Sequence, residues 1–485
     1  MTEGHPNRWK ILAVSLVATF MTLLDVSIVN VALPSIRQGL DAPESGLQWV
    51  VSGYALMFGL VLVPAGRLGD ARGRRVMFMW GLALFTLASM AAGAAQSIGW
   101  LVAARLVQGV GSGVMQPQVA GLIQQLFRGA ERGRAFGALG TVVGVATAVG
   151  PLAGGALIAL AGPEHGWRWV FYVNVPVGLA GLVLAWRLIP GPPPGRRKES
   201  LDPVGVLLLA AGIVSLLLPL TLERQWQGSG KWLLVPVALA FLALFVLWEL
   251  HHARRAEPLV DLNLYRFRSY SLGVAIAVLY FSGFTSIFFV FTLYLQIGLG
   301  YSALAAGVSI IPFAIGSGIS AALSGRVVTR VGRRLVAAGL VVVLAGLAAL
   351  YTVVALASGP GVTWWTALPL LVAGLGSGMV ISPNQTLTLS QVPPREGGSA
   401  AATMQTGQRL GAALGIATSG AMLFAAVAGT RGDWALGFRH ALTVVCAFVL
   451  AALLAALTDL ALTRRAAPRE GAGIHTPAAG PGSDR

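Results

Sequence analysis

The sequence predicts an all-α membrane protein of 14 transmembrane helices, arranged as two six-helix bundles plus two extra central helices. Three observations carry that prediction. Hydrophobic residues make up 56% of the 485 and charged residues only 11%, with a mean hydropathy of +0.75. A soluble domain carries about 25% charged residues, so this chain cannot hide its apolar surface in water. Apolar runs recur at about 20 residues, the length a helix needs to cross a hydrocarbon core of about 30 Å. The chain also repeats itself in two halves. A membrane β-barrel is excluded, because no segment alternates apolar and polar residues at period two.

Taken in order, the chain opens with a short tail, 1–10, and a first span at 11–33. That run is too long for a cleavable signal, contains Asp25 and leads directly into a second span at 46–66. Spans follow at 76–96, 99–126, 135–160 and 170–189, completing an N-terminal bundle over 11–189. A Pro- and Arg-rich stretch, 190–203, reads as a linker. The two extra helices, 204–222 and 232–250, fill 204–250, and a second linker covers 251–269. The C-terminal bundle, 270–462, holds spans at 270–296, 302–324, 335–357, 362–390, 400–428 and 436–462. The tail, 463–485, reads as disordered.

The net charge of +16 is a topology signal and requires no nucleic-acid partner. Arg37, Arg168, Arg224, Lys231, Arg431 and Arg439 lie in or beside the loops that join odd spans to even ones, and Arg105 and Arg409 lie within spans. Nearly all other basic residues fall in the tails and the even-to-odd loops, which the positive-inside rule makes cytoplasmic. Both termini are therefore expected on the cytoplasmic side. Only Lys10, Lys198 and Lys231 are lysines among 34 basic residues, a bias that hints at a GC-rich bacterial genome and an inner (plasma) membrane address. Trp9, Trp49, Trp100, Trp167 and Trp232 stand near span ends and read as interfacial anchors.

The repeat is visible in three matches. Gly66-Arg67-Leu68-Gly69-Asp70-Ala71-Arg72-Gly73-Arg74-Arg75 after span 2 parallels Gly325-Arg326-Val327-Val328-Thr329-Arg330-Val331-Gly332-Arg333-Arg334 after span 10. Gly109–Gly113 parallels Gly374–Gly378, and Glu131–Ala135 falls opposite Glu396–Ala400. Parallel repeats of six helices place a substrate site near the midplane between the halves.

The decapeptide after span 2 reads as a tight basic loop turned by Gly66, Gly69 and Gly73. Within it Asp70 sits amid Arg67, Arg72, Arg74 and Arg75 and can pair with one of these loop arginines, or cap a helix N-terminus, and so latch the cytoplasmic side of the protein. Thr329 stands at the equivalent place in the second copy, so such a latch is asymmetric. Span 4 carries Arg105 and Gln108 ahead of Gly109-Val110-Gly111-Ser112-Gly113. An arginine inside a span is a functional candidate by default, with snorkelling to the interface as the bland alternative. In span 5, Gly144, Gly150, Pro151, Gly154 and Gly155 permit close helix approach and a bend.

These loop, span-4 and span-5 patterns resemble the signature motifs of the major facilitator superfamily, and the span-5 pattern resembles its antiporter motif. Leu24-Asp25-Val26-Ser27-Ile28-Val29-Asn30-Val31-Ala32-Leu33-Pro34 and Trp167-Arg168-Trp169-Val170-Phe171-Tyr172-Val173-Asn174-Val175-Pro176-Val177-Gly178 resemble hallmarks of its fourteen-helix drug:proton antiporter family. Tyr294-Leu295-Gln296 and Arg409-Leu410-Gly411-Ala412-Ala413-Leu414-Gly415 fit the second half of that family. The resemblance runs from about residue 10 to 460. It implies alternating access and export of drug-like compounds in exchange for protons.

Three acids lie in or near spans. Glu249 and Asp459 fall in last turns on the cytoplasmic side, where water is expected to reach them. Asp25 lies deeper, where desolvation disfavours a charged carboxylate. It is the candidate for proton coupling or for holding a cationic substrate group, a structural hydrogen-bonded Asp being the alternative. Some relatives that export multivalent cations carry further acids in late spans. Here Gln405, Gln408 and Arg409 stand there instead, which argues against a dicationic dye. Arg409 can pair with an anionic substrate, compete with a proton or bond to backbone carbonyls. The aromatic residues crowding span 9 (Tyr280, Phe281, Phe284, Phe288, Phe289, Phe291 and Tyr294) read as packing before they read as a drug pocket.

Enzyme readings find no support. There is no Walker loop and no His/carboxylate cluster with ligand spacing, so no cofactor or metal is called for. Cys446 stands alone, which excludes an internal disulfide. The expected function is proton-coupled export of a hydrophobic antibiotic, drug or secondary metabolite by a monomer in the lipid bilayer. The alternatives are a transporter of a specific metabolite and, more remotely, a membrane sensor that does not transport.

Overall fold

Glycines at positive φ punctuate the chain at equivalent points of its two halves. Gly73 (φ 109°) separates α2 (Glu44–Arg72) from α3 (Arg74–Gly93), and Gly332 (φ 61°) separates α11 (Ala303–Val331) from α12 (Arg333–Leu356). Other residues resist that backbone region because of their Cβ. The computed structural model describes residues 6–162, 164–191, 202–221, 228–254, 258–357, 361–430 and 432–466. Most of the Pro-rich linker and most of the C-terminal tail lie outside the described residues.

The remaining helices are α1 (Arg8–Leu40), α4 (Ile98–Leu126), α5 (Gly129–Ala161), α6 (Gly166–Tyr172), α7 (Asn174–Leu188), α8 (Pro203–Thr221), α9 (Leu234–His252), α10 (Arg268–Leu293), α13 (Val362–Thr388), α14 (Gly397–Gly429) and α15 (Trp434–Ala466). Among the described residues there is no strand. Among the described residues, twelve helices are long and apolar enough to cross a membrane, and α5 makes thirteen when its two segments, bent by 41° between Thr147 and Leu152, count as one span. The fourteenth expected span corresponds to α8, whose apolar stretch Pro203–Pro219 is shorter than the others. Expected span 6 is α6 and α7 together, a single span Gly166–Leu188 whose backbone stays helical through Val173. Large apolar side chains such as Trp80, Leu160 and Trp364 are exposed on the outside, as lipid-facing residues must be.

One expectation needs correction. The decapeptide after span 2 is not a loop: α2 continues through it to Arg72, so Gly66 and Gly69 are helical and only Gly73 turns the chain. Gly66 and Gly69 serve close packing instead. A Cβ on Gly66 would stand 2.6 Å from the Ala402 Cβ, and one on Gly69 would overlap the Gln118 amide.

The two bundles are α1–α7 and α10–α15. They meet along α5 and α11, where small residues let the backbones touch. A Cβ on Gly137 would lie 3.0 Å from the Ala321 carbonyl oxygen, and one on Gly325 would lie 2.5 Å from that of Gly133. The second contact is apolar and lies at one end only. There Ile11, Phe127 and Phe136 of the first bundle form one buried cluster with Tyr270, Val274, Leu389, Ala400 and Met404 of the second. That end also gathers Arg8, Asp70, Arg74, Arg333 and Asp459, and is called the basic end below. Clusters toward the other end stay within one bundle. The helices α8 and α9 pair with each other and lie across the line where α2 meets α14, through Val63, Leu209, Ile213 and Leu217 with Leu410 alongside.

Candidate functional site

Asp25 sits halfway along α1, fully buried, and its carboxylate accepts hydrogen bonds from three side chains. Arg105 of α4 donates through Nη1 to Oδ2 at 2.5 Å. Gln108, one turn further along α4, donates to Oδ1 at 3.0 Å, and Asn174 at the start of α7 donates to the same oxygen at 3.2 Å. Arg105 is itself held on three sides. Its Nε donates to the Val50 carbonyl at 3.1 Å, its Nη1 also reaches the Gln108 amide oxygen at 2.7 Å, and its guanidinium lies 4.3 Å from the Tyr54 ring centre. Tyr54 and Ser112 share a hydrogen bond of 2.6 Å, while Ser89 supports Asn174 at 3.0 Å.

Local sequence explains how these groups meet. Glycines of α4 let α2 and α3 come close, since a Cβ on Gly109 would stand 2.5 Å from the Tyr54 carbonyl. That approach sets Arg105 between α1 and α2. Snorkelling therefore does not describe Arg105, which is 1% exposed and ion-paired in the interior. A buried charge pair of this kind is tolerated because further hydrogen bonds satisfy both partners. Asn174, one residue past Val173, faces Asp25 from the span that runs Gly166–Leu188. The apolar pattern of span 6 did not mark it, and Tyr54 carried no signal at all because nothing in α2 around it is charged.

Beside this cluster lies a cavity of about 70 Å³ between the bundles. Thr22, Tyr54, Phe58, Arg105, Gln116 and Arg409 supply its polar and aromatic lining. Arg409, on α14, is exposed to it and stacks over the Phe58 ring at 4.5 Å. Asp25 does not line the cavity, because Arg105 stands between. The span-9 aromatics do not line it either. Tyr280, Phe284 and Phe288 pack on one another and on Phe313 of α11 within the second bundle.

At the basic end, Asp70 forms both contacts open to it from sequence. Its Oδ1 accepts from Arg74 Nη2 at 2.8 Å, and its two oxygens accept from the Gly398 and Ser399 amides at 3.1 and 2.7 Å. The carboxylate thus caps the first turn of α14, where the helix dipole favours a negative charge. Arg74 also donates to the Pro394 carbonyl at 2.5 Å, and Gln124 donates to that of Leu389 at 2.7 Å. Arg75 takes no part; it bonds to the Trp186 carbonyl within its own bundle. In the second copy Arg333 pairs with Asp459 at 2.7 Å and with Asn384, all within the second bundle. Among the described residues, only the first copy sends an ion-paired carboxylate across the boundary, while the second crosses it by the close packing of Gly325 on Gly133.

The span-5 residues divide between two neighbours. A Cβ on Gly144 would meet the Ala314 carbonyl oxygen of α11 at 2.9 Å, while Gly150 and Gly154 press against Ser27 and Ile28 of α1. Gly155 lies looser, 3.4 Å from Leu304. The Pro151 side chain lies outside the described residues.

Three expectations are corrected here. Glu249 and Asp459 are not water-exposed but 1% and 2% exposed. Asp459 is enclosed by Arg268 and Arg333, and Glu249 accepts from the Val260 amide beneath the α8–α9 pair. Trp167 is not an interfacial anchor: it is fully buried, against Gly39 and under the Arg168 guanidinium.

This arrangement of paired bundles, a midplane ion pair and a one-sided latch can be compared with known proteins. The family model described as Major Facilitator Superfamily matches residues 15–416. The chain belongs to the major facilitator superfamily. It is a transporter and not an enzyme. Among similar superfamily members, the probable actinorhodin transporter of Streptomyces coelicolor is 37% identical over 87% of this chain and 73% of its own length. The puromycin resistance protein pur8 of Streptomyces alboniger is 34% identical over 93% and 90%. The solved structure of the proton:xylose symporter XylE superposes with a TM-score of 0.65, covering 94% of this chain and 95% of that one at 16% identity. That last likeness shows the superfamily fold.

Proposed function

We propose that this superfamily transporter is a proton-coupled exporter of hydrophobic antibiotics, drugs or secondary metabolites that works by alternating access. The observation that carries the reading is the buried Asp25–Arg105 pair beside the midplane cavity. Relatives named for actinorhodin transport and puromycin resistance support the substrate class. The positive-inside rule makes the basic end cytoplasmic, with both termini there, in a bacterial plasma membrane. The protein works as a monomer.

In this conformation the cytoplasmic end is closed by Asp70 on α14 and by the shared apolar cluster. The cavity, at about 70 Å³, is far below the several hundred Å³ that a drug-sized ligand fills. Loading therefore requires the bundles to part. A proton arriving from outside neutralises Asp25 and leaves Arg105 without its counter-ion. Two states of different stability then exchange, and the proton gradient supplies the bias that binding alone cannot. An elementary charge crossing 100 mV contributes about 2.3 kcal/mol.

Everted membrane vesicles, acidified inside, test this reading. A panel of planar polyketides, puromycin and ethidium is added while lumenal pH is followed. Export coupled to protons makes at least one compound raise lumenal pH with wild type, while Asp25→Asn at matched expression stays flat. A full panel without response in wild type removes the drug-export reading.

A further inference from the structure

Arg409 is a cation without an anion. It lies twelve residues into α14, about 18 Å along the helix, opposite the middle of α2. Arg74, Arg105 and Arg333 each have a partner aspartate within 2.8 Å. Arg409 has no hydrogen bond or ion pair among the described residues, and its one close polar-to-aromatic contact is with Phe58. Its side chain is exposed to the midplane cavity.

The surroundings offer nothing to neutralise it. No Asp or Glu lines the cavity. Asp25 is fully buried behind Arg105, and its oxygens are taken by Arg105, Gln108 and Asn174. Thr22 and Gln116, which also line the cavity, bond to each other at 2.7 Å. The cavity surface thus carries one uncompensated positive charge. Closing such a site around an unmatched guanidinium costs much more in low dielectric than closing it around a hydrogen-bonded ion pair. The rest of the wall is apolar, with Leu23, Val26, Val29, Val51 and Ala55 beside two aromatic rings, Tyr54 and Phe58, that stack on α2 with centres 6.2 Å apart.

We infer that Arg409 anchors the acidic group of the substrate, a planar aromatic monoanion such as a carboxylate or an ionised phenol, whose rings lie along Tyr54 and Phe58. This deepens the export reading and rests on it for the direction of transport. A guanidinium suits the task because its planar fork donates two parallel hydrogen bonds to one carboxylate. With the anion bound, Asp25 balances Arg105 and the substrate balances Arg409, so the loaded midplane is neutral. Export of a monoanion against proton entry moves two charges per cycle in the same sense. Transport therefore accelerates with an inside-negative membrane potential.

The test measures binding to purified protein in nanodiscs, without any gradient. Anthraquinone-2-carboxylate, its neutral 2-carboxamide and the cation ethidium are titrated against tryptophan fluorescence. Wild type is expected to bind the carboxylate about tenfold or more better than the carboxamide, the advantage of a charge-assisted contact. Arg409→Gln removes that preference, weakening the carboxylate far more than the carboxamide, while Arg409→Lys keeps part of it. Unchanged thermal unfolding of Arg409→Gln shows that the fold is intact. Equal binding of carboxylate and carboxamide by wild type, a preference that survives Arg409→Gln, or tighter binding of ethidium overturns the inference. The export reading fails separately: no probe moves with an imposed proton gradient in proteoliposomes, whatever the binding preference.

Discussion

Asp70 and Ser399 stand 329 residues apart and meet at 2.7 Å, the carboxylate Oδ2 of one accepting the amide of the other across the boundary between the bundles. Arg74 shares the same carboxylate at 2.8 Å, so helix end, aspartate and arginine form one closed unit. Removing the carboxylate takes away an N-cap, typically about 1 kcal/mol, and a buried charge partner. Opening of the basic end has to break the same contacts.

Asp70→Ala is therefore expected to favour the state open at the basic end, by a factor of about 5 to 150 for a change of 1–3 kcal/mol. A cysteine at position 402, in place of buried Ala402 beside Gly66, reports this. Its maleimide labelling should be faster with Asp70→Ala than without. Equal rates would mean the apolar cluster alone holds the end shut.

Arg105 and Asp25 should show strong coupling in a double-mutant cycle. Arg105→Met leaves a buried carboxylate without its cation, a loss of about 3–5 kcal/mol for pairs of this kind. Asp25→Asn keeps hydrogen-bonding capacity, so the double variant should unfold at a higher temperature than Arg105→Met alone. Simple addition of the two losses would contradict the pairing.

The α5–α11 seam predicts steric block without unfolding. Gly325→Val pushes against the Gly133 carbonyl, 2.5 Å from where its Cβ must stand, which would obstruct the bundle movement that the proposed cycle requires. Transport should fall at least about tenfold while each bundle stays folded. Gly59→Ala, with nothing within 4 Å of the new Cβ, is the control and should transport as wild type.

Asp459 should matter for stability and not for coupling. It accepts from both Arg268 and Arg333, and Asp459→Ala leaves two arginines short of their acid. A loss of about 3–5 kcal/mol is expected. The ratio of protons to substrate in the surviving protein should be unchanged.

The membrane class and the repeat were legible because they rest on long apolar runs and on Gly73 and Gly332, whose positive φ falls at matched places. Asp25 and Arg105 were legible because charge is scarce in spans, and Asp70 because it is the one acid amid the arginines of its decapeptide. Asn174 and Tyr54 were not: neutral polar groups acquire meaning only through the neighbour they face. The burial of Glu249 and Asp459 was hidden for a related reason. Sequence gives depth along a helix, but their partners, Val260 in one case and Arg268 and Arg333 in the other, come from elsewhere in the chain. Gly66 and Gly69 looked like turn residues because glycine signals both turns and close packing, and only the Ala402 and Gln118 contacts separate the two.

In the proposed cycle, protonation of Asp25 couples the proton gradient to substrate movement. Purified wild type and Asp25→Asn in proteoliposomes, loaded with a transported compound, are compared with and without an imposed pH gradient. The account predicts that wild type concentrates labelled compound only with the gradient, while Asp25→Asn still exchanges labelled for unlabelled compound but never concentrates it. Gradient-driven accumulation by Asp25→Asn at the wild-type level would contradict it and move the coupling site elsewhere.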